Sequence, residues 1–286
     1  MKLSRLTFFV ALVAFVICSC ADAQITSQFR EVFVRAQAQD ASLDVDDVVE
    51  IDTVISLVDG MFDDAVDVIA DTTTGTTTAT SNQLSGINGQ SFFAGAEVET
   101  FSIEDGDSSN IACALFEFDF ELPVGGIVDL SQFELFASRA QLPSQARSDA
   151  TDVSLVIIDT STDATVFDEV IFLAVDDESA SGGSPQQVDL PPGSFQLSVL
   201  AEIRGDDLIS AFQGQPRGTI AQFQIEGTII DAITGDINGD GAVNLLDVGP
   251  FVDRISAGTY SAAADINGDG QVDLLDVGPF IALLNG

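Results

Sequence analysis

The 286-residue sequence lacks histidine and tryptophan, and it has one tyrosine and only nine Lys and Arg residues. Without histidine there is no Ser-His-Asp or Cys-His catalysis and no imidazole zinc site. The 46 Asp and Glu residues give a formal net charge of −37 at pH 7. Because nucleic acids are bound through Lys and Arg, this charge argues against a nucleic-acid partner, and equally against anionic membrane surfaces.

The hydrophobic residues are nevertheless abundant. They make up 46% of the chain and include 21 Phe, enough for a sizeable core, so the acidity does not indicate a disordered tail. The length is that of one or two domains.

The N-terminus has the pattern of an export signal. Lys2 and Arg5 precede the apolar run 6–17, and Ala21-Asp22-Ala23 is a small-x-small cleavage pattern, which predicts a signal peptide over 1–23. An alternative takes Cys20 as a lipidated residue of a degenerate lipobox, which would hold the protein at the cell surface. Secretion is the preferred interpretation, with no transmembrane segment after signal removal.

Cleavage after Ala23 would leave Cys113 as the only cysteine, and no internal disulfide would be available. Cys113 lies in the apolar run 111–116, so we expect a small core residue rather than a reactive thiol. The mature chain would have seven basic residues, all Arg, against 45 acidic ones.

Residues 24–232 carry the alternation of strands with one wet face. Phe116, Phe118 and Phe120 alternate with acidic residues, and a similar pattern covers 29–36. Further strands are predicted over 53–58, 127–137, 153–159, 166–175, 195–203 and 219–230, separated by Gly and Pro turns. The segment 57–70 is ambiguous. The fold class predicted is mostly β, an antiparallel β-sandwich of jelly-roll or immunoglobulin-like type.

Three polar segments of this region favour a plain structural interpretation. The Thr-rich stretch 72–81 is interpreted as a loop, with an exposed β-edge as the alternative. The acidic stretches 44–47 and 104–107 resemble calcium ligands, but a solvated turn is the simpler interpretation on so acidic a chain.

The C-terminus contains an internal repeat. DINGDGAVNLLDVGPF at 236–251 returns 29 residues later as DINGDGQVDLLDVGPF at 265–280, with 14 of 16 positions identical. In each copy oxygen-bearing side chains fall at loop positions one, three, five, nine and twelve, with Gly at six. This spacing lets a chain wrap one hard cation, and Ca²⁺ is the natural ion.

The repeat therefore predicts two calcium ions held by two sets of ligands. The seventh position would use its backbone carbonyl and the ninth would bind directly or through water. The first set is Asp236, Asn238, Asp240, Ala242, Asn244 and Asp247, and the second is Asp265, Asn267, Asp269, Gln271, Asp273 and Asp276. Gly241 and Gly270 would form the sharp turns, and Val243 and Val272 a short β-like contact between loops.

Each loop lacks room for a full entering helix, since only 231–235 and 259–264 are free to precede the loops. A duplicated loop with one exiting helix, and Asp rather than Glu at position twelve, resembles the type I dockerin module. The resemblance covers about residues 235–286. It implies a small all-α unit, folded around two calcium ions, that binds a cohesin domain on another protein.

Two features depart from the family pattern. The positions that help dockerins select a cohesin are Leu245, Leu246, Leu274 and Leu275 here, either an apolar recognition patch or packing between the units. Residues before proline avoid the α region, which favours exiting helices that begin at Pro250 and Pro279 and run about two turns, although the sequence leaves these starting points open. Gly258 would end the first helix.

The expected organisation is a signal peptide (1–23), a β-sandwich (24–232) and a dockerin-like module (233–286). The leading interpretation is a secreted or surface-associated, non-catalytic protein joined to an extracellular cohesin-like or cell-surface partner. One alternative is a polysaccharide-degrading enzyme or carbohydrate-binding protein, since glycoside hydrolysis needs only two carboxylates; the lack of Trp and Tyr in the β-region argues against it. A second alternative is that the calcium loops form a purely structural cap.

Overall fold

The computed structural model describes residues 24–38, 48–57, 61–71, 76–103, 108–123, 125–139, 150–173, 178–206 and 217–285. The predicted signal peptide, with Cys18 and Cys20, lies outside the described residues. So do the acidic stretches 44–47 and 104–107. Among the described residues, no helix combines the length and hydropathy needed to cross a membrane.

The described part of the chain has thirteen strands. They are β1 (Gln24–Ala38), β2 (Val48–Ser56), β3 (Phe62–Asp71), β4 (Thr76–Asn88), β5 (Ser91–Ile103), β6 (Ser108–Leu122), β7 (Gly126–Arg139), β8 (Ala150–Asp159), β9 (Ala164–Phe172), β10 (Ser179–Gly182), β11 (Gln186–Leu190), β12 (Gly193–Asp206) and β13 (Arg217–Asp231).

These strands form two antiparallel sheets. Sheet A has the order β2-β1-β6-β12-β8-β9, and sheet B has the order β10-β7-β13-β5-β4-β3, with β11 paired to β7. One hydrophobic cluster includes buried residues from both sheets, as expected for sheets that pack face to face. The prediction of a mostly antiparallel β fold is confirmed at this level.

The alternation of apolar and polar residues along the strands explains which side chains form the core. On β6 the rings of Phe116, Phe118 and Phe120 are buried, and neighbouring rings along this row lie 5.5 and 5.8 Å apart between centroids. Phe92 of sheet B contacts Phe118 at 4.9 Å. Contacts between aromatic rings therefore stabilise the packing of sheet B against sheet A.

Two segments that the sequence left open or assigned to loop are strands. Thr76–Ser81, part of the predicted Thr-rich loop, begins β4 and pairs with both β3 and β5. The ambiguous segment 57–70 contains most of β3. The loop prediction was wrong for 76–81 because Thr favours extended backbone and the neighbouring strands supply the pairing.

Cys113 was predicted to be a core residue, and this is wrong. Its neighbours Ala112 and Ala114 are fully buried, whereas Cys113 is only partly buried and has the opposite parity. The apolar run 111–116 concealed the period of two that places alternate residues on opposite faces.

The C-terminal region has one 3₁₀ turn (Leu245–Asp247) and two helices, α1 (Val248–Ala257) and α2 (Val277–Leu284). Both helices begin two residues before their proline, so the prediction that they start at Pro250 and Pro279 was wrong. Proline occupies the third helical position, where no intrahelical hydrogen bond is lost. The preceding glycine has no Cβ to clash with the ring.

The first helix ends at Gly258, as predicted. Gly258 has φ +64°, and its N–H contacts the carbonyls of Arg254 and Ile255. This left-handed conformation is one that glycine adopts without steric cost.

The helical region contacts the sandwich next to Gly125. The chain leaves β13 at this point, where the Ala232 N–H donates to the Gly125 carbonyl at 3.3 Å, and a Cβ at Gly125 would come within 3.0 Å of the Ala262 side chain from the helical region. Arg254 of α1 also pairs with Asp189 of β11 at 3.6 Å. Burial nevertheless raises the pKa of Asp189, an effect that Arg254 only partly offsets.

Candidate metal centre

The loop 236–247 folds around the carboxylate of its first residue. Asp236 Oδ1 accepts hydrogen bonds from the N–H groups of Gly239 (3.0 Å) and Asp240 (3.1 Å), and Oδ2 accepts from Gly241 (2.8 Å). Gly241 has φ +83°, which confirms the expected turn. The side chain thus organises the backbone that curls round it.

The last residue of the loop closes the turn from the other side. Asp247 Oδ1 accepts from Asn238 N–H at 3.0 Å and Oδ2 from Asn244 N–H at 2.8 Å. Asn244 in turn caps the 3₁₀ turn by accepting from Leu246 N–H at 2.8 Å. Asp247 is 0% exposed.

The second loop repeats this arrangement. Asp265 accepts from the N–H groups of Gly268, Asp269 and Gly270 at 2.9, 3.1 and 2.8 Å. Asp276, also 0% exposed, accepts from Ile266, Asn267 and Asp273 at 2.8, 3.0 and 2.9 Å. Identical sequence positions therefore make nearly identical contacts in both loops.

The loops differ at position nine. Asn244 donates its amide to the Ala242 carbonyl at 3.0 Å and also accepts from Leu246. Asp273 has no proton to donate and only accepts, from Leu275 N–H at 2.7 Å. The second loop therefore contains one more carboxylate than the first.

The chemistry of the loops fits a hard cation. Asp247 and Asp276 are completely buried carboxylates, and no cationic side chain of the described residues forms an ion pair with either. Backbone N–H groups offset part of the cost of burying these charges, and a bound cation would offset the remainder. Among the described residues, no three acidic or thiol side chains lie close enough together to hold a metal ion, so the structure does not bring the carboxylates of either loop together around one point.

The predicted contact between Val243 and Val272 does not form a β-bridge, since neither residue lies in a strand or bridge. Both side chains pack against the small core of the helical region instead. That core is centred on Phe251 and Phe280, whose rings lie 4.4 Å apart between centroids. The two copies thus meet through equivalent aromatic residues of their helices.

The four leucines of the repeats lie on the surface. Leu245 and Leu274 are each 77% exposed, Leu246 is 68% exposed and Leu275 is 66% exposed. Of the two interpretations from sequence, this exposure favours a recognition patch over packing between the units.

An apolar groove between α1 and α2 was not predicted from sequence. Ser256 and Leu274 line it together with four repeat-equivalent positions from each helix: Val248, Phe251, Val252 and Ile255, and Val277, Phe280, Ile281 and Leu284. The signal was present, because each set has the i, i+3, i+4, i+7 spacing of one helix face. This pattern was overlooked because the helices were expected to begin at Pro250 and Pro279, which left Val248 and Val277 outside them.

The comparisons with known proteins identify this region. Residues 234–285 match the family described as the dockerin type I domain. The predicted resemblance is therefore confirmed for the C-terminal region. No curated protein matches the chain.

Three solved structures share limited similarity with the chain. A CBM4 structure is 12% identical over 45% of this chain and 74% of that one, with a TM-score of 0.21. The enzymatically active domain of bacteriophage CBA120 tailspike protein 4 is 15% identical over 58% and 19%, with a TM-score of 0.22. A structure of infectious bursal disease virus Gx strain is 10% identical over 74% and 62%, with a TM-score of 0.21.

Proposed function

We propose that the chain, whose residues 234–285 form a dockerin type I domain, is a secreted, non-catalytic β-sandwich protein that docks onto an extracellular cohesin. Dockerin domains bind calcium and dock onto cohesins, and they suggest an extracellular or cell-surface location. The domain boundaries we propose are 24–232 for the sandwich and 233–286 for the docking module, after a signal peptide over 1–23.

The observation that carries the proposal is the duplicated loop with its buried closing carboxylates, which are hydrogen-bonded by backbone amides but form no ion pair with a cationic side chain of the described residues. We assign one calcium ion to each loop. The ligands in the first are Asp236, Asn238, Asp240, the Ala242 carbonyl, Asn244 and Asp247. The corresponding six in the second are Asp265, Asn267, Asp269, the Gln271 carbonyl, Asp273 and Asp276.

Calcium would supply the positive charge that allows these carboxylates to converge. The chain's own residues do the rest: backbone amides orient the carboxylates at positions one and twelve, and the closing Asp begins each exiting helix. The exposed pairs Leu245-Leu246 and Leu274-Leu275 are thereby held at equivalent places in the two repeats. They form the docking surface in this proposal.

The test is calcium-dependent binding of a purified type I cohesin domain to the chain from Gln24 to Gly286. We expect binding with calcium, release by a chelator, and loss of binding in Asp247→Asn/Asp276→Asn. In a Leu245→Ser/Leu274→Ser variant, binding should fall while calcium stoichiometry stays at two ions per chain. Phe172→Ser on β9, 64% exposed, is the matched control and should bind normally.

A structural cap is the second candidate role for the calcium loops. The contacts of Arg254 with Asp189 and of Ala262 with Gly125 favour it. If calcium raises the unfolding temperature of the whole chain but no cohesin binds, the cap explains the loops and docking is wrong.

A further inference from the structure

A groove with a mixed, mainly apolar lining crosses the outer face of sheet B, on the side turned away from the core. Its centre lies where Gly95 of β5 stands between Gln224 of β13 and Leu84 of β4. Asn82, Phe93 and Gln132 also line the groove, with Glu226 paired between Phe93 and Gln132, and Asp63 and Asp64 line it from the edge strand β3. We call this feature the sheet B groove.

The groove exists because two glycines interrupt the outer face. A Cβ at Gly95 would have no neighbouring atom nearer than 3.9 Å, so the absent side chain leaves open space. A Cβ at Gly86 would come within 2.8 Å of Phe93 Cε1. The Phe93 ring therefore leans across β4 into the place of a missing side chain, and lines the groove as an aromatic surface.

Three of the side-chain amides that line the groove have no hydrogen-bond partner among the residues that the structure describes. These are the amides of Asn82, Gln132 and Gln224. The adjacent Gln222, by contrast, is bonded to Glu97. Each free amide can donate and accept, and a hydroxyl group of a ligand needs both.

The charge of the groove limits its ligand. Asp63, Asp64 and Glu226 supply negative charge, and no Lys or Arg is among the lining residues. Anionic ligands are therefore repelled. Free amides beside an aromatic ring suit a ligand that has hydroxyl groups along its edge and an apolar C–H face.

We propose that the sheet B groove binds a neutral polysaccharide chain, with one sugar ring against Phe93 and its hydroxyl groups on the free amides. This function is separate from docking, since the groove lies in the sandwich and uses neither calcium loop. Combined with the dockerin domain, it would place a glycan-binding protein on a cohesin-bearing partner.

The test is isothermal titration of the Gln24–Gly286 chain with neutral hexasaccharides of the cello, xylo, manno and laminari series. Wild type should bind at least one series, and Phe93→Ala should bind it about tenfold more weakly. Phe101→Ala removes a ring from the same face of the same strand outside the groove and should leave affinity unchanged.

A second variant distinguishes loss of the binding site from loss of folding. Gly95→Leu places a side chain in the open groove without a close contact at Cβ, so it should keep the wild-type unfolding temperature and lose binding. Failure of all four series, or binding that survives Gly95→Leu, overturns the proposal. Binding only to polygalacturonate or to a chitosan hexamer also overturns it, because the ligand would then be charged. The Asp247→Asn/Asp276→Asn variant should keep glycan binding even where docking fails.

Discussion

Cys113 lies on the outer face of sheet A, yet its thiol is poorly ionised. Burial among neighbouring side chains raises its pKa to about 12, and the charges of Glu202 and Glu31 add to the shift. At pH 8 the reactive thiolate is then about one part in ten thousand.

We therefore expect alkylation of Cys113 by iodoacetamide at pH 8 to be at least about 100-fold slower in the folded chain than in urea. The measurement is the rate of mass increase of the chain from Gln24, which contains no other cysteine. Glu202→Gln should speed the reaction in the folded state, because it removes a negative charge that raises the pKa of the Cys113 thiol. Equal rates with and without urea would show that the thiol is ordinary.

Individual residues differ in how far sequence could predict them. The spacing alone identified Asp247 and Asp276 as closing positions, since loop chemistry is local. It could not show that both are inaccessible to solvent, because burial depends on how the folded loop and its surroundings pack around each carboxylate. Cys113 was misplaced for a related reason: its neighbours are apolar on both faces, so composition conceals which face is inside.

At the scale of elements, local signals decided which predictions succeeded. Strands with sharp alternation, such as β6, were found, whereas β4 was missed because most of its inner face is polar, formed by Thr77, Ser81, Gln83 and Ser85. The short strands β10 and β11 depend on pairing with β7, which is distant in sequence. Such pairing leaves no local pattern to recognise.

The helix starts provide an element-scale prediction. Pro250 is the third residue of α1, where its missing N–H has no intrahelical partner to lose. Pro250→Ala should therefore change the free energy of unfolding of the calcium-loaded chain by less than about 0.5 kcal/mol. Val252→Pro, two residues further on and 53% exposed, should cost about 3 kcal/mol.

The readout is urea unfolding monitored by the helical circular dichroism signal at saturating calcium. Val252→Ala is the control for loss of the valine side chain. If Pro250→Ala stabilised the chain as strongly as Val252→Pro destabilises it, the proline would be straining the helix and its position in the first turn would be misassigned.

At the scale of the whole molecule, negative charge governs how stability depends on pH. Burial raises the pKa of Glu99 and of Glu117, and nearby carboxylates, Glu97 and Asp119 respectively, raise each further. Asp152 is shifted in the same direction by burial and by Glu202. The folded state thus holds these protons to a higher pH than the unfolded chain does.

The sign of the effect follows from this preference. A carboxyl group with a raised pKa in the folded state stabilises the fold below its unfolded pKa, and this contribution is lost as pH rises through the folded pKa. Lowering the pH from 7 toward 5 should therefore raise the unfolding temperature of the sandwich, although acid destabilises proteins whose carboxylates are well paired.

The measurement is calorimetric unfolding between pH 7 and 5 at constant ionic strength, in chelator so that calcium affinity does not contribute. Glu99→Gln and Glu117→Gln should each raise the unfolding temperature at pH 7, on the order of one degree given solvent screening, and flatten its pH dependence. Glu134→Gln, an exposed position on β7, is the matched control and should retain the wild-type slope. An unfolding temperature that falls steadily from pH 7 to 5 would mean that paired carboxylates, rather than these partly buried ones, dominate the pH dependence of stability.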